Sequence, residues 1–182
     1  MNARRFLPLL AVACLLVFAS PIQGQPYTES MTLTLQGING LEVIVEDVDD
    51  DAKEGGLSLE NLRIYVEMRL RQARITILDQ SETAEDARQA YFYVAINVKK
   101  ITFERGDWVG WAYNIDLSVN QMACIEGFDT GPLSRAHSCN FFTTWDLSGM
   151  SVTGEDSLSS SVREDLAVLM DMFLNDHLKM NP

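Results

Sequence analysis

A strict alternation of apolar and polar side chains fills VGWAYNIDLSVN, which are residues 109–120 of the chain. Successive side chains of a β-strand point to opposite faces of the sheet, so this period of two predicts a strand with one dry and one wet face. A sheet with one wet face is typical of antiparallel architecture and is covered on its other face only. We therefore expect the helices of this chain to pack together on one side of the sheet.

Two amphipathic helices are predicted to form that cover. The first runs over residues 58–73, where Ser58 is the N-cap and Leu57 and Leu62 stand at the spacing of a hydrophobic staple. Its inward positions recur every three or four residues. They are Leu59, Leu62, Val66, Leu70 and Ala73.

The second helix closes the chain over about residues 158–180. Ser157 or Ser161 is expected to open it, since Ser161 and Glu164 have the spacing of a capping box. Its inward residues are predicted to be Val162, Leu166, Leu169 and Phe173.

Other strands are predicted from shorter patterns. Residues 31–36 alternate and are followed by Asn39-Gly40, a two-residue hairpin signal that leads into a second strand over residues 41–48. Further strands are expected at 74–78, 91–103 and 140–147, with a polar connection at 80–89 and a turn at 104–107. The last strand is expected to place on one side Phe141, Thr143, Trp145 and Leu147. These elements predict an α+β, two-layer sandwich with a mainly antiparallel sheet of five to six strands and two amphipathic helices on one face.

The amino terminus has the features of a secretory signal peptide. Arg4 and Arg5 precede an apolar run over residues 6–19, and small residues follow up to Gly24. The run is broken by Pro8 and is shorter than the about 20 apolar residues that span a bilayer, so no transmembrane anchor is expected after signal removal. We predict residues 1–24 as the signal peptide and 25–182 as a single exported domain, periplasmic or secreted.

Two other interpretations of this leader stay open. Residues 11–14 end in Cys14 and resemble a lipoprotein box, although the apolar run continues beyond the cysteine. The Arg4-Arg5 pair resembles a twin-arginine signal that lacks its spacer.

The charge balance excludes one class of partner. The chain carries 14 basic and 26 acidic residues, a formal net charge of −12, and removal of the leader would make it more acidic. Phosphate binding needs clustered Lys and Arg that release counterions, so no nucleic-acid partner is expected.

Cys124 and Cys139 are the cysteines that remain beyond the leader. Cys124 lies where the long alternating strand ends and Cys139 where the next strand begins, so an antiparallel pair would bring them within reach of each other. In an oxidising compartment this even pair predicts a Cys124–Cys139 disulfide.

The sequence contains only weak signals for a catalytic site or a metal site. His137 near Cys139 suggests zinc or a Cys-His nucleophile, but the only other histidine is His177 in the last helix.

Asp47, Asp49 and Asp51 have the odd spacing of a calcium loop, but Ala52 and Ser58 occupy the positions of its glycine and its glutamate. A solvated acidic loop is the favoured interpretation.

Two further sets of side chains are interpreted as structural. Asp165 and Asp176 are expected on the polar face of the last helix. The three tryptophans, Trp108, Trp111 and Trp145, are expected to fill the core rather than to form a ligand platform. We therefore predict no catalytic residue, cofactor or metal.

The segment between the cysteines is the candidate partner loop. Long loops in compact domains often carry function, and a disulfide would hold this one at both ends. The residues singled out in it are Phe128, Arg135 and His137.

The order of these elements resembles a known pattern. A strand at 41–48, the helix at 58–73 running into 75–78, later strands with Thr144-Trp145 near the last one, and a closing helix are similar to the amino-terminal domain of TolB-type proteins. They also resemble the core of curli-secretion-type and penicillin-binding-protein-activator lipoproteins. The Phe-Leu-Asn-Asp-x-Leu segment at 173–178 resembles the end of a family of uncharacterised exported bacterial proteins.

The resemblance and the lack of a catalytic motif favour an exported, periplasmic, non-catalytic module that binds another envelope protein or assembles into a larger complex. A small-molecule binder that uses the cleft between helices and sheet is the alternative. An enzyme of unrecognised type is the third possibility, and it would need His137 or perturbed acids to meet in a pocket.

Overall fold

The computed structural model describes residues 29–79, 90–102, 108–125 and 138–182. The leader and the connections predicted at 80–89 and 104–107 lie outside these described residues. The helices are α1 (Glu29–Leu33), α2 (Asp50–Glu54), α3 (Leu59–Gln72) and α4 (Leu158–Met180), and a 3₁₀ turn over Glu155–Ser157 leads into α4. The strands are β1 (Gly40–Val45), β2 (Thr76–Ile77), β3 (Ala90–Thr102), β4 (Trp108–Ile125) and β5 (Ser138–Thr153).

The five strands form one mixed sheet in the order β2-β1-β3-β4-β5. β1 runs parallel to both of its neighbours, whereas β3, β4 and β5 form a long antiparallel meander. The pairing of β3 with β4 extends from Ala90 opposite Gln121 to Thr102 opposite Trp108. The predicted α+β architecture is confirmed.

One face of this sheet forms the core together with the helices. The predicted dry positions of β4 are at most 3% exposed, and the described ones are Trp111, Tyr113, Ile115, Leu117 and Val119. Phe173 of α4 packs on Phe92 and Trp145, with ring centroids 4.6 and 5.0 Å away. Trp111 and Trp145 are therefore core residues, while the side chain of Trp108 lies outside the description.

The helix α3 follows its predicted pattern closely. Ser58 Oγ accepts a 3.2 Å hydrogen bond from the backbone N–H of Asn61. The two residues of the predicted hydrophobic staple, Leu57 and Leu62, are each 7% exposed. Val66 and Leu70 are fully buried, whereas Leu59 is 37% exposed. The prediction that Leu59 faces the core is wrong, because the buried stripe of α3 advances in steps of four residues through Leu62, Val66 and Leu70.

The helix α4 has the predicted bounds but not the predicted capping box. Ser157 precedes the helix and makes no side-chain capping bond. Ser161 lies inside the helix, where its Oγ is 2.8 Å from Thr153 Oγ1. The 3₁₀ turn sets the start of α4 before Ser161, so that this hydroxyl joins the helix to β5 instead. The four predicted inward residues of α4 are buried.

Residues 31–36 are not a strand, which corrects the prediction. They belong to α1 and the turn after it, and the buried side chains are Thr32 and Leu35, three residues apart, while Leu33 is 62% exposed. The hydroxyl of Thr34 has its oxygen within hydrogen-bond distance of two carbonyl acceptors, those of Met31 (2.7 Å) and Thr144 (3.0 Å). Packing on β5 therefore outweighs an alternation only a few residues long.

Asn39-Gly40 does not form a hairpin, which is a second correction. Gly40 opens β1, a strand paired in parallel with β2 and β3, so the chain continues forward instead of turning back. A Cβ at Gly40 would lie 3.0 Å from Leu78 Cδ2, so the side chain of Leu78 packs closely over this glycine.

A β-bulge changes which side chains of β5 share a face. Val119 pairs with Trp145 and Asn120 pairs with Thr143, so Thr144 is an extra residue in β5. Phe141 and Thr143 therefore lie on the opposite face from Trp145, and their predicted common side is wrong. An inserted residue reverses the alternation, which the local pattern does not reveal.

Candidate interaction surface

The face of the sheet opposite the core is here called the open face. Residues directly opposite each other in paired strands share a face, so the register defines its members. At its centre are Tyr93, Asp116, Ser118, Asp146 and Ser148, and towards one end it carries Lys99, Ala112, Met150 and Val152. The described helices all contact the core side, so none of them packs on this face.

The centre of the open face is acidic. The pKa of Asp116 is raised above its usual value, first by burial and then by the negative charges of Asp146 and Glu46, against a hydrogen bond from Asn114 that lowers it. Tyr93 donates a 2.7 Å hydrogen bond to Glu46 Oε2, and this bond is the largest cause of a raised pKa at Tyr93. A cation placed over this region would relieve repulsion among the carboxylates.

One side of this face ends at the free edge of β5. Residues 146–153, here called the β5 edge, pair with residues 111–118 of β4 on one side and with no described strand on the other. Met150 and Val152 project from this strand with 74% and 67% of their surface exposed. Before the bulge, Phe141 and Phe142 are 41% and 45% exposed.

Among the described residues, the β5 edge has few of the usual devices that block further pairing. β5 contains no Lys, Arg or Pro, and its one charged residue is Asp146. Proteins ordinarily protect a long edge strand with such residues or with a bulge, because unpaired backbone groups attract another strand. The bulge at Thr144 is contacted by Thr34, while residues 146–153 run in regular register beyond it.

The disulfide predicted from the sequence is present at the end of the same hairpin. Cys124 and Cys139 stand directly opposite each other, with their Cα atoms 4.0 Å apart. Both residues are exposed. The predicted loop residues Phe128, Arg135 and His137 lie in 126–137, outside the described residues, so the partner-loop hypothesis stays a prediction.

The acidic loop after β1 uses its carboxylates for separate structural contacts. Asp49 Oδ1 caps α2 by accepting from the Ala52 N–H at 2.8 Å, and Asp51 Oδ2 accepts from the Lys100 N–H at 3.3 Å. Asp47 lies 3.6 Å from Lys53 Nζ. Within the described ranges, no three His, Cys, Asp or Glu side chains are grouped as metal ligands.

The two aspartates of α4 join the helix to the sheet. Tyr113 donates to Asp165 Oδ2 at 2.6 Å, and Trp145 Nε1 donates to Asp176 Oδ2 at 3.4 Å. Burial, followed by the hydrogen bond to Asp165, raises the pKa of Tyr113 to about 12. The two carboxylates belong to different contacts and do not form a catalytic pair.

His177 also has a structural position. It is 6% exposed, and its Nε2 lies 2.7 Å from the carbonyl of Ile38, just before β1. Its Nδ1 has no hydrogen-bond partner among the described atoms. The ring therefore holds the segment that enters β1 against α4, and the described residues around it do not form a metal site.

Several cavities bear on ligand binding. A cavity between the starts of α3 and α4, lined in part by Leu62, Tyr65 and Arg163, has a volume of about 30 Å³, which is room for about one water. An open depression of about 400 Å³ lies on the open face around Asn114, Asp116 and Met150. This depression lies outside the helix–sheet cleft that the small-molecule alternative requires, and a further open depression of about 440 Å³ lies beside the acidic loop, lined in part by Asp47, Asp49 and Asn97.

Membrane-spanning helices are not found in the described part of the chain, where every helix is too short or too polar to cross a bilayer.

Comparison with known proteins gives little further information. No family model and no curated protein matches the chain. Among solved structures it is similar to rare lipoprotein B from Shewanella oneidensis, with 11% identity and a TM-score of 0.29, over 78% of this chain and 90% of that chain. Similarity this low does not establish a shared fold or function, and the TolB-type, curli-secretion-type or penicillin-binding-protein-activator resemblance is not shown by these comparisons.

Sequence reasoning missed the β5 edge. Residues 148–153 read SGMSVT, a short uncharged segment that alternates small polar residues with Met150 and Val152. This alternation is the signal that could have extended the predicted strand from residue 147 to residue 153. It does not reveal that the strand lies at the edge of the sheet.

Proposed function

We propose that this chain is an exported, non-catalytic module that binds another protein of the cell envelope, and that the β5 edge with the adjoining open face is its contact surface. The observation that supports this proposal most strongly is the exposure of Met150 and Val152 on a long strand that has no described neighbour on its outer side. Exposed apolar side chains beside unpaired strand groups are typical of sites where a partner adds to a sheet.

Export is supported by two independent features. The leader at residues 1–24 has the basic, apolar and small-residue regions of a signal peptide. The Cys124–Cys139 disulfide fits an oxidising compartment, because cytosolic thiols are kept reduced. Both features favour the periplasm or the cell exterior for the working protein.

Export is tested on the protein purified from cell fractions. Amino-terminal sequencing and thiol titration are expected to give a chain that starts near Gln25 and has no free thiol at Cys124 or Cys139. An intact leader together with two free thiols in the cytosolic fraction would refute export.

Partner binding is tested by photo-crosslinking of the full chain in its own cells. A photoreactive residue replaces Met150 in one variant and Ile64 in the control, since Ile64 is 56% exposed on α3. We expect an adduct with one envelope protein from position 150 and none from position 64. Adducts from other exposed positions only would move the contact surface, and no adduct from any exposed position would refute the function.

A further inference from the structure

We propose that the β5 edge binds an extended segment of the partner that places a basic side chain opposite Asp146 and apolar side chains opposite Met150 and Val152. This inference rests on the proposed function and names the chemistry of the partner. It predicts that recognition occurs by strand addition, in which backbone hydrogen bonds give affinity and alternate side chains give specificity.

The geometry of the edge favours an added strand. From Asp146 opposite Ser118 to Thr153 opposite Trp111, the pairing of β5 with β4 is regular and has no further bulge. In an antiparallel sheet each strand presents backbone donors and acceptors to both sides, so β5 offers to a further strand the same kind of ladder that β4 offers to β5.

The register fixes which side chains meet the added strand. On the open face the β5 edge presents Asp146, Ser148, Met150 and Val152, in that order along the chain. Side chains directly opposite each other in neighbouring strands have Cβ atoms about 5 Å apart and interact. Apolar partners therefore fit opposite Met150 and Val152, since these side chains are largely exposed.

The charge at the other end of the edge selects a basic partner. Asp146 is exposed and forms no ion pair with another described residue, while Asp116 and Glu46 lie on the same face. The carboxylates of Asp146 and Glu46 both act on Asp116 as like charges. An Arg or Lys opposite Asp146 would be attracted by this group of acids, whereas an acid there would be repelled.

A second copy of this chain fits the edge less well. An antiparallel pair of β5 strands centred on Met150, with both open faces on one side, places Ser148 opposite Val152 and Asp146 opposite Gly154. Both aspartates would then lack a basic partner. It would also bring together two chains with a formal net charge of −12 each. Charge complementarity therefore favours a different, basic partner.

The expected partner sequence follows from the pairing. For an antiparallel strand the order is apolar, any, apolar, any, polar, any, basic, and for a parallel strand it is the reverse. A suitable probe is a fluorescein-labelled peptide Thr-Val-Thr-Val-Thr-Thr-Thr-Arg-Thr, with a second peptide that carries Glu in place of Arg. Binding to the folded protein is followed by fluorescence anisotropy.

The basic position is tested by exchanging the charge on the peptide and at residue 146. We expect the Arg peptide to bind about fivefold more tightly than the Glu peptide, and Asp146→Lys to reverse this order. The control Glu164→Lys makes the same charge change on α4 and is expected to leave the order unchanged. An equal affinity for both peptides, or the same order after Asp146→Lys, would overturn the assignment of the basic position.

The apolar positions are tested by a matched pair of variants. Met150→Lys is expected to weaken binding of the Arg peptide at least tenfold, while Ile64→Lys on α3 has no effect, and circular dichroism checks that both variants fold. Loss of binding in both variants, or in neither, argues against the β5 edge.

Light scattering of the free protein gives the oligomeric state, and a dimer that Met150→Lys dissociates would make a second copy the occupant instead.

The crosslinking experiment tests strand addition separately from the proposed envelope-binding function. Mass spectrometry of the adduct from position 150 identifies which partner segment contacts β5. A segment with the expected alternation and a basic residue supports strand addition. A helical or acidic segment would refute strand addition while the envelope-binding function still stood.

Discussion

The hydroxyl of Tyr113 donates a 2.6 Å hydrogen bond to Oδ2 of Asp165, which joins the first half of β4 to α4. Tyr113 is 3% exposed, and its pKa is raised to about 12 by burial and by this bond. The pair is one of several polar contacts that link the sheet to α4, together with Trp145–Asp176 and Thr153–Ser161.

Tyr113→Phe is expected to lower the free energy of unfolding by about 1–2 kcal/mol at pH 7, because a hydrogen bond to a carboxylate is lost. The phenol has a higher pKa in the folded state than in the unfolded state, so its contribution is present below about pH 10 and is lost as the pH rises towards 12. Urea unfolding at pH 8 and pH 11 should therefore show a smaller alkaline loss in the variant. Tyr65→Phe, which removes a phenol on α3 that makes no hydrogen bond to another described residue, is the control, and an equal alkaline loss in Tyr113→Phe and wild type would contradict this role.

Asp116→Asn is expected to stabilise the fold at neutral pH, by roughly 0.5 kcal/mol for a largely solvated group. The folded-state pKa of Asp116 is raised, so the folded protein holds this proton more tightly than the unfolded chain does. The associated stability is present at low pH and is lost as the pH rises through the folded pKa. Unfolding measured from pH 3 to pH 7 should show the gain of the variant growing with pH, and a gain that shrinks would be the contrary result.

Gly110→Ala is expected to destabilise the protein by about 1–3 kcal/mol. Gly110 has a φ of +153°, and a Cβ there would lie 2.3 Å from the carbonyl oxygen of Thr153 in β5. Gly154→Ala is the matched control, because nothing lies within 4 Å of its added Cβ. Thermal unfolding of both variants checks this, and a similar melting temperature for the two would show that the close approach of β4 to β5 is not required.

Removal of the disulfide by Cys124→Ser with Cys139→Ser is expected to lower stability by about 3 kcal/mol, from the chain entropy of a loop with a sequence separation of 15. Wild type in reducing buffer should lose a similar amount, and the double variant should not respond to the reductant. Guanidinium unfolding with and without dithiothreitol measures both effects. A response of the double variant to dithiothreitol would mean that the effect arises elsewhere.

Much of the fold could be predicted because its longest elements carry long periodic patterns. The bounds of α4 and the buried stripe of β4 depend on side chains that repeat over many residues, so local packing and periodicity agree. The segment at 31–36 failed because its pattern is short. It forms the end of α1 and the turn after it, in which Thr34 contacts β5 and Leu35 is buried.

The candidate surface was harder to predict than the fold. The sequence indicated the two cysteines because they stand at the ends of adjacent predicted strands, and the structure contains that bond. It did not indicate the exposure of Met150 and Val152. An alternating strand has the same local pattern in the middle of a sheet as at its edge, so strand order is not readable from it.

The sequence by itself determined the α+β class, the helices α3 and α4 and the dry stripe of β4, because amphipathic periodicity depends only on the spacing of residues along the chain. Only the tertiary structure decided the parallel pairing of β1, the bulge at Thr144 and the position of β5 at the sheet edge. These features depend on which distant segments meet. A one-residue shift in register reverses every face, so the surface proposed for partner binding emerges only when the strands are assembled.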